Sequence, residues 1–233
     1  TIFREPEPRA VVETLNFIVD RVMPALNEGA VISIQLIVPS TVLGLLFGIV
    51  LGALRVYGGS VLGALANGYA ALFRGTPLVC QLLFLYYGLP NVGIYLEPYG
   101  AAVLGFSMCS AAYHSEYIRG GLLATRRGQH LAAQALGFST LQSMLSIVVP
   151  QAVRRALPGC GNEIVYLIKY SSLAYLVTCM ELTGHGKELA AQTFRFSEVF
   201  LVVGVYYLVI VTVASFLLRK LEDRLRIPGF GHA

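Results

Sequence analysis

The chain has 233 residues, of which 56% are hydrophobic and only 13% charged; its net charge is +4 and its mean hydropathy +0.68. A soluble domain carries about twice that charged fraction, so the composition excludes a soluble enzyme and defines an all-α polytopic membrane protein. The four His are scattered and the four Cys form no CxxC pair, which argues against a metal site or a disulfide framework. No GxxxxGK[ST] loop is present, so no nucleotide site is expected in this chain, and the charge gives no sign of nucleic acid.

Residues 1–28 open with TIFREPEPRAVVETLNF, which lacks the basic-then-apolar order of a signal peptide. Val12, Leu15, Ile18 or Val19, Val22 and Leu26 recur at helical spacing, predicting an amphipathic helix lying on the membrane. Gly29 to Leu54 carries no charge and exceeds the ~20 apolar residues of a spanning helix. Within it Gly44, Gly48 and Gly52 form one stripe, suited to close helix packing inside the subunit. Residues 57–90 contain Asn67, Arg74 and the break Gly75-Thr76-Pro77. They read as a cytoplasmic interface helix over 60–73 and a span over 77–90, with two full crossings as the alternative. A charge such as Arg74 at the bilayer centre costs several kcal/mol, which favours the first reading.

A short outer loop, 90–97, leads to a third span from Tyr99 to Tyr117. In the 120–150 loop, short helices over 129–136 and 139–148 flank Gly137, where glycine permits a turn through positive φ. Ser139 is the predicted N-cap of the second helix. The fourth span runs from Ile147 to Tyr170 and is expected to break at Pro150 and Pro158; residues 171–196 read as irregular. Val199 to Leu218 is the last of five spans, so the membrane domain covers 29–220 and a basic tail covers 221–233. Ten Lys or Arg gather on the side of the 120–150 loop and the C-terminus, against five on the other. By the positive-inside rule that side is cytoplasmic and the N-terminus lies outside.

Polar residues inside a membrane are costly and imply function. On the fourth span Asn162, Glu163, Tyr166, Lys169 and Tyr170 fall within an arc of roughly 120° at 100° per residue, with Ser171 just beyond. An anion and a cation on one face suit a zwitterion, with Glu163 toward an amino or guanidino group and Lys169 toward a carboxylate. The competing reading is that Glu163 and Lys169 hold helices together. Measured from Pro150, Glu163 lies about 20 Å along the helix, past the midplane. Glu116 and Arg119, three apart, are expected to pair for structure or gating, with Arg74 in the same role.

The spacing Ala132-Ala133, Gly137, Ile147-x-x-Pro150 resembles the EAA loop of ABC-importer permeases. Phe73-Arg74-Gly75-Thr76-Pro77-Leu78 with Gln81, Glu116-Tyr117-Ile118-Arg119-Gly120-Gly121, Arg127-Gly128-Gln129, Leu157-Pro158 and Asn162-Glu163 are similar to the polar amino-acid permease family. The match covers about residues 28–182. The resemblance implies a type I ABC importer permease fold with about five transmembrane helices and a cytoplasmic coupling helix, in a bacterial inner membrane. It implies that Gln129, Leu131, Ala132, Ala133, Gly137 and Phe138 meet the cleft of an ATPase subunit dimer, which would hold ATP and magnesium; this chain would bind no cofactor and carry no catalytic residue. It implies an amino-acid substrate delivered by an extracytoplasmic binding protein, with Asn162-Glu163 at the substrate. Leu131 stands where the family has Glu, which favours a heterodimer with a second homologous permease carrying the ordinary loop. The alternatives are a permease for another small polar solute and an ion-coupled secondary carrier, although carriers usually show internal repeats and none is found.

Overall fold

A computed structural model describes residues 8–225, excepting the side chains of residues 8, 10, 126–128, 130 and 131. The described residues are almost all helical, without strands. Helix α1 (Pro8–Phe17) passes through one wide π turn (Ile18–Val22) into α2 (Met23–Tyr57). The chain therefore runs as one helix across residue 28. The cause is packing: Val22 and Leu26 are fully buried against Leu182, Val199 and Val203, which holds the approach helix in line with the span.

The α2 helix ends at Gly58, and α3 (Gly59–Gly75) follows. The predicted break is present. Thr76 is extended (φ −112°, ψ 143°), as a residue before proline must be, and α4 (Leu78–Leu83) leaves at 103° to α3. Gln81 fixes the corner by donating to the carbonyls of Phe73 (2.9 Å) and Thr76 (3.0 Å). A π turn (Phe84–Gly88) and a 3-10 turn (Leu89–Val92) complete this arm.

The third span and the first loop helix are one element, α5 (Pro98–Ala135). It stops at Gly137 (φ 85°), where the amides of Phe138 and Gly137 bond back to the carbonyls of Ala133 (3.0 Å) and Gln134 (2.9 Å). This is a Schellman closure, which needs a left-handed residue at that position. Ser139 then caps α6 (Thr140–Ser143) as predicted. It forms a reciprocal capping box with Gln142, at 3.3 Å from the Gln142 amide and 3.0 Å to its side chain. A π turn (Met144–Val148) leads into α7 (Val149–Tyr170).

Neither proline interrupts α7. Pro150 occupies the first turn, where a missing N–H costs nothing. Pro158 sits inside the helix; an interior proline costs about 3 kcal/mol, and burial of Ala156, Cys160 and Gly161 around it holds the helix together. The stretch expected to be irregular is ordered: a 3-10 helix (Ser171–Val177), a left-handed Thr178, and α8 (Leu182–Thr193). Last comes α9 (Phe196–Leu225), which carries the final span on through Arg219 and Lys220.

Among the described residues, Val11–Tyr57 and Phe196–Leu225 are long and apolar enough to cross a membrane alone, and the bent pair α3–α4 adds a third if it is one span. Helices α5 and α7 are longer than the bilayer requires, yet carry a polar strip. That strip is enclosed: Ser107, Ser110, His114 and Ser115 of α5 are all buried, as is Glu163 of α7. Their polarity is thus spent inside the bundle, while α9 shows Leu201, Val205, Leu208 and Val213 outward. The main core joins Leu36 of α2, Leu82 of α4, Phe106 of α5 and Leu167 of α7.

Candidate functional site

The glycine stripe of α2 sets the geometry. A Cβ on Gly44 would lie 2.8 Å from Ser110, one on Gly48 2.5 Å from the Cβ of His114, and one on Gly52 2.8 Å from Ile118. The stripe therefore packs α2 on α5 within the subunit, as expected. It brings Ser110 to the middle of the bundle, where its hydroxyl lies beside Glu163 of α7 and 3.0 Å from His114 Nδ1. Glu163 is 4% exposed. Cys109, Tyr113 and Tyr117 of α5 and Cys160 of α7 lie within electrostatic range of it.

Gly44 is near the centre of the uncharged stretch 29–54, so Glu163 is level with the middle of that stretch and not beyond it. The start of α7 explains the difference, because Arg154 and Arg155 are exposed and its first turns precede the apolar zone.

The predicted polar arc divides. Glu163 and Ser171 face inward, whereas Asn162, Tyr166, Lys169 and Tyr170 face outward. The rings of Tyr166 and Tyr170 stack with centroids 6.0 Å apart, and Lys169 Nζ sits 5.5 Å from the Tyr166 centroid, within cation–π range. Ser171 donates to the Ile168 carbonyl at 2.7 Å. Among the described residues no ion pair joins Glu163 to Lys169. The two charges do share a helix, but on different sides of it.

Glu116 pairs with Arg119, as expected, and also with two further arginines. Its Oε2 accepts from Arg55 (2.7 Å) and Arg74 (2.6 Å), and its Oε1 from Arg119 Nε (3.0 Å). Arg55 donates in addition to Asn67 (2.8 Å) and Ser115 (2.9 Å). One carboxylate thus ties α2, α3 and α5 together. Arg55, just past the uncharged stretch 29–54, is one of the ten basic residues on the side of the 120–150 loop, and its place at the end of the first span is the sequence signal for this role.

A second buried carboxylate, Glu181, was missed altogether. It caps α8, with Oε1 accepting from the Gly184 amide (3.1 Å) and Oε2 from the Thr183 amide (2.9 Å), the Tyr207 hydroxyl (2.8 Å) and Ser33 (3.4 Å). Glu is not among the favoured N-cap residues, and the Leu-Thr-Gly-His-Gly run that follows carries two glycines, so the sequence held little signal for it.

At the tip between α5 and α6, Gln129, Ala132, Gly137 and Phe138 are exposed and Ala133 is buried. Leu136 and Leu141 are 78% and 68% exposed, so the tip is apolar as well as protruding. The side chain of Leu131 lies outside the described residues.

An all-α bundle with a buried carboxylate at mid-span and a projecting helix–turn–helix tip belongs to the class of membrane permeases. Residues 44–227 match the model of the binding-protein-dependent transport system inner membrane component, and the chain belongs to that family. It is 37% identical over 207 residues to the glutamine transport system permease protein GlnP of Escherichia coli strain K12, covering 88% of this chain and 94% of that protein. It is 34% identical to the arginine transport system permease protein ArtQ of Bacillus subtilis, with the same coverage. It is 38% identical to the nopaline transport system permease protein NocM of Agrobacterium fabrum, covering 78% of this chain and 80% of that one. Among solved structures, an amino acid ABC transporter crystallised with histidines matches with a TM-score of 0.83 and 29% identity, over 88% of this chain and 96% of that one. An inward-facing MetNI methionine transporter has the same fold, with a TM-score of 0.72 at 18% identity and coverage of 88% and 98%. The chain is a multi-pass membrane protein with the ABC importer permease fold.

Proposed function

We propose that the chain imports polar or charged amino acids, and that Glu163 holds the cationic group of the substrate. The observation that carries this is a carboxylate buried at mid-span with one hydroxyl, Ser110, for company. Burying a carboxylate is expensive unless it is paired, and a passing amino or guanidino group supplies the pair. The relatives handle glutamine, arginine and nopaline by name, which supports an amino-acid substrate. Lys169, placed outward beside Tyr166 and Tyr170, then meets a carboxylate at a different stage or from a neighbouring subunit.

In this reading an outer binding protein delivers the substrate, and two ATPase subunits carrying ATP and magnesium engage the tip around Gly137. The tip and the C-terminus are cytoplasmic and the N-terminus is outside. Leu131 in place of an acid favours a second, different permease that carries the ordinary loop. Mass spectrometry of the intact complex tests this point: two copies of this 25.2 kDa chain with no second permease would refute it. Gly137→Val, forced into positive φ, is expected to lose copurified ATPase or to let hydrolysis outrun transport. Normal coupled transport with full ATPase retention would refute the role of the tip. The substrate reading is tested by ligand-stimulated ATP hydrolysis of the reconstituted complex against a panel of amino acids. Stimulation by cationic or polar amino acids is expected; no response to any member would sink the reading.

A further inference from the structure

Helices α5 and α7 run together along a seam of small residues. A Cβ on Gly121 would lie 2.5 Å from the carbonyl oxygen of Ala152, so the two backbones nearly touch there. Beside that contact a cleft opens between the helices, lined by Tyr117, Gly120, Ala124, Arg155, Ala156 and Gly159. The cleft starts on the side of the Gly137 tip and ends at Tyr117. There the ring is seated directly on Gly159: a Cβ at that glycine would stand 2.3 Å from Cδ1 and 2.6 Å from Cγ of Tyr117.

One helical turn beyond Gly159 on α7 is Glu163. On α7, Ala156, Gly159 and Glu163 are spaced three and four apart and share a face; on α5, Ala124, Tyr117 and Ser110 are spaced seven apart and share the facing one. The order along the seam is therefore cleft, Tyr117 on Gly159, then Ser110 with Glu163. Glu163, Cys160 and Tyr166 all lie within electrostatic range of the Tyr117 side chain.

We propose that Tyr117 is the door between the Glu163 site and the side of the molecule that bears the Gly137 tip, closed in this conformation by packing of its ring on Gly159. The inference rests on Glu163 being the substrate site. A large planar ring on a side-chain-free surface closes a passage by contact alone and opens by rotating about χ1 and χ2. Glycine at 159 leaves that seat empty, and the neighbouring cluster of Glu116 with Arg55, Arg74 and Arg119 holds the α5 backbone that carries the ring.

Cys160 is 7% exposed and next to the seat, so it serves as a native reporter. The test uses the assembled transporter in membrane vesicles, with Cys80, Cys109 and Cys179 changed to Ala and a trimethylammonium-ethyl methanethiosulfonate as the thiol probe. With Tyr117 present, Cys160 is expected to react slowly from either face. Tyr117→Ala should speed labelling at least tenfold when the probe is added on the tip side, and leave labelling from the opposite face unchanged. Gly159→Ala, which displaces the ring while Tyr117 is kept, should do the same, and Tyr117→Phe should stay slow. Unchanged labelling in both Tyr117→Ala and Gly159→Ala would overturn the proposal, as would equal acceleration from both faces. A chain whose one cysteine is the buried Cys179 is the control. A parallel rise there would mean that Tyr117 holds the fold rather than a door, and would also overturn it. Labelling needs no substrate, so this result is separate from the uptake phenotype of Glu163→Gln; either can fail alone.

Discussion

Glu163 and Glu181 are both carboxylates buried among apolar helices, and they are satisfied very differently. Glu181 receives two backbone amides and the Tyr207 hydroxyl within 3.1 Å, with Ser33 at 3.4 Å. Its lone pairs are occupied by groups from α2, α8 and α9. Glu163 has only the Ser110 hydroxyl beside it among the described residues, and that hydroxyl is 3.0 Å from His114 Nδ1. Buried polar groups in folded proteins are almost always fully bonded, and a partly satisfied one calls for an explanation. The saturated carboxylate is a structural joint; the undersupplied one has capacity left for a ligand. Burial and charge alone do not separate the two roles, whereas the donor inventory does.

The sharpest way to break this comparison is Glu181→Ala. It orphans the amides of Thr183 and Gly184 at the junction of three helices, each worth about 1–3 kcal/mol when buried without a partner, and leaves the Tyr207 hydroxyl with the Thr183 hydroxyl (3.0 Å) alone. The complex is expected to be lost, or to melt far below the unaltered one in a thermal unfolding assay read by fluorescence size exclusion. A wild-type melting profile would remove Glu181 from its role as joint.

Glu163→Gln should do the opposite. The amide keeps the shape and no helix junction depends on the charge, so the melting temperature is expected to stay within a few degrees. Uptake of cationic amino acids should fall by about two orders of magnitude, corresponding to the few kcal/mol of a lost buried charge contact, with neutral polar amino acids less affected. If the variant fails to assemble while its substrate preference is kept, both carboxylates are structural and the comparison collapses.

Much of this was legible in the sequence for physical reasons. Thr76-Pro77 constrains the backbone before the proline whatever surrounds it, so the break after α3 was readable. Gly137 and Ser139 act through their own φ and side-chain oxygen, and both behave as read. The glycine stripe needed only helical periodicity. What was not legible depends on distant partners. Glu181 sits in a stretch without periodicity, and its donors come from residue 33 at one end and residue 207 at the other. The continuity of α1 with α2 is decided by α8 and α9. The outward placement of Lys169 follows from which edge of α7 meets α5, and a helical wheel gives the arc without saying where it points. Pro158 fails as a breaker because burial on both sides outweighs one lost bond.

The smallest expected effects come from the two serines that attend the two carboxylates, and they test the comparison at its finest grain. Ser33 does two things: its hydroxyl donates to Glu181 at a long 3.4 Å and accepts from the Leu182 amide at 3.1 Å. Removing it in Ser33→Ala leaves that buried amide unpaired, at about 1–3 kcal/mol, so the loss should appear as lowered melting temperature with substrate preference intact. Ser110 has a different balance. Its side chain lies beside His114, whose Nδ1 also lies 2.9 Å from the Ser110 carbonyl oxygen, so Ser110→Ala strands no backbone group. Stability should change by less than about 1 kcal/mol, typical of one neutral hydrogen bond, while uptake of cationic amino acids shifts several-fold because the hydroxyl orients the Glu163 carboxylate. Paired measurements of melting and uptake on both variants give a crossed pattern if the two sites differ as described. If both serines lower stability alike and leave uptake alone, the hydroxyl at Glu163 is as structural as the one at Glu181, and the spare capacity assigned to Glu163 is not there.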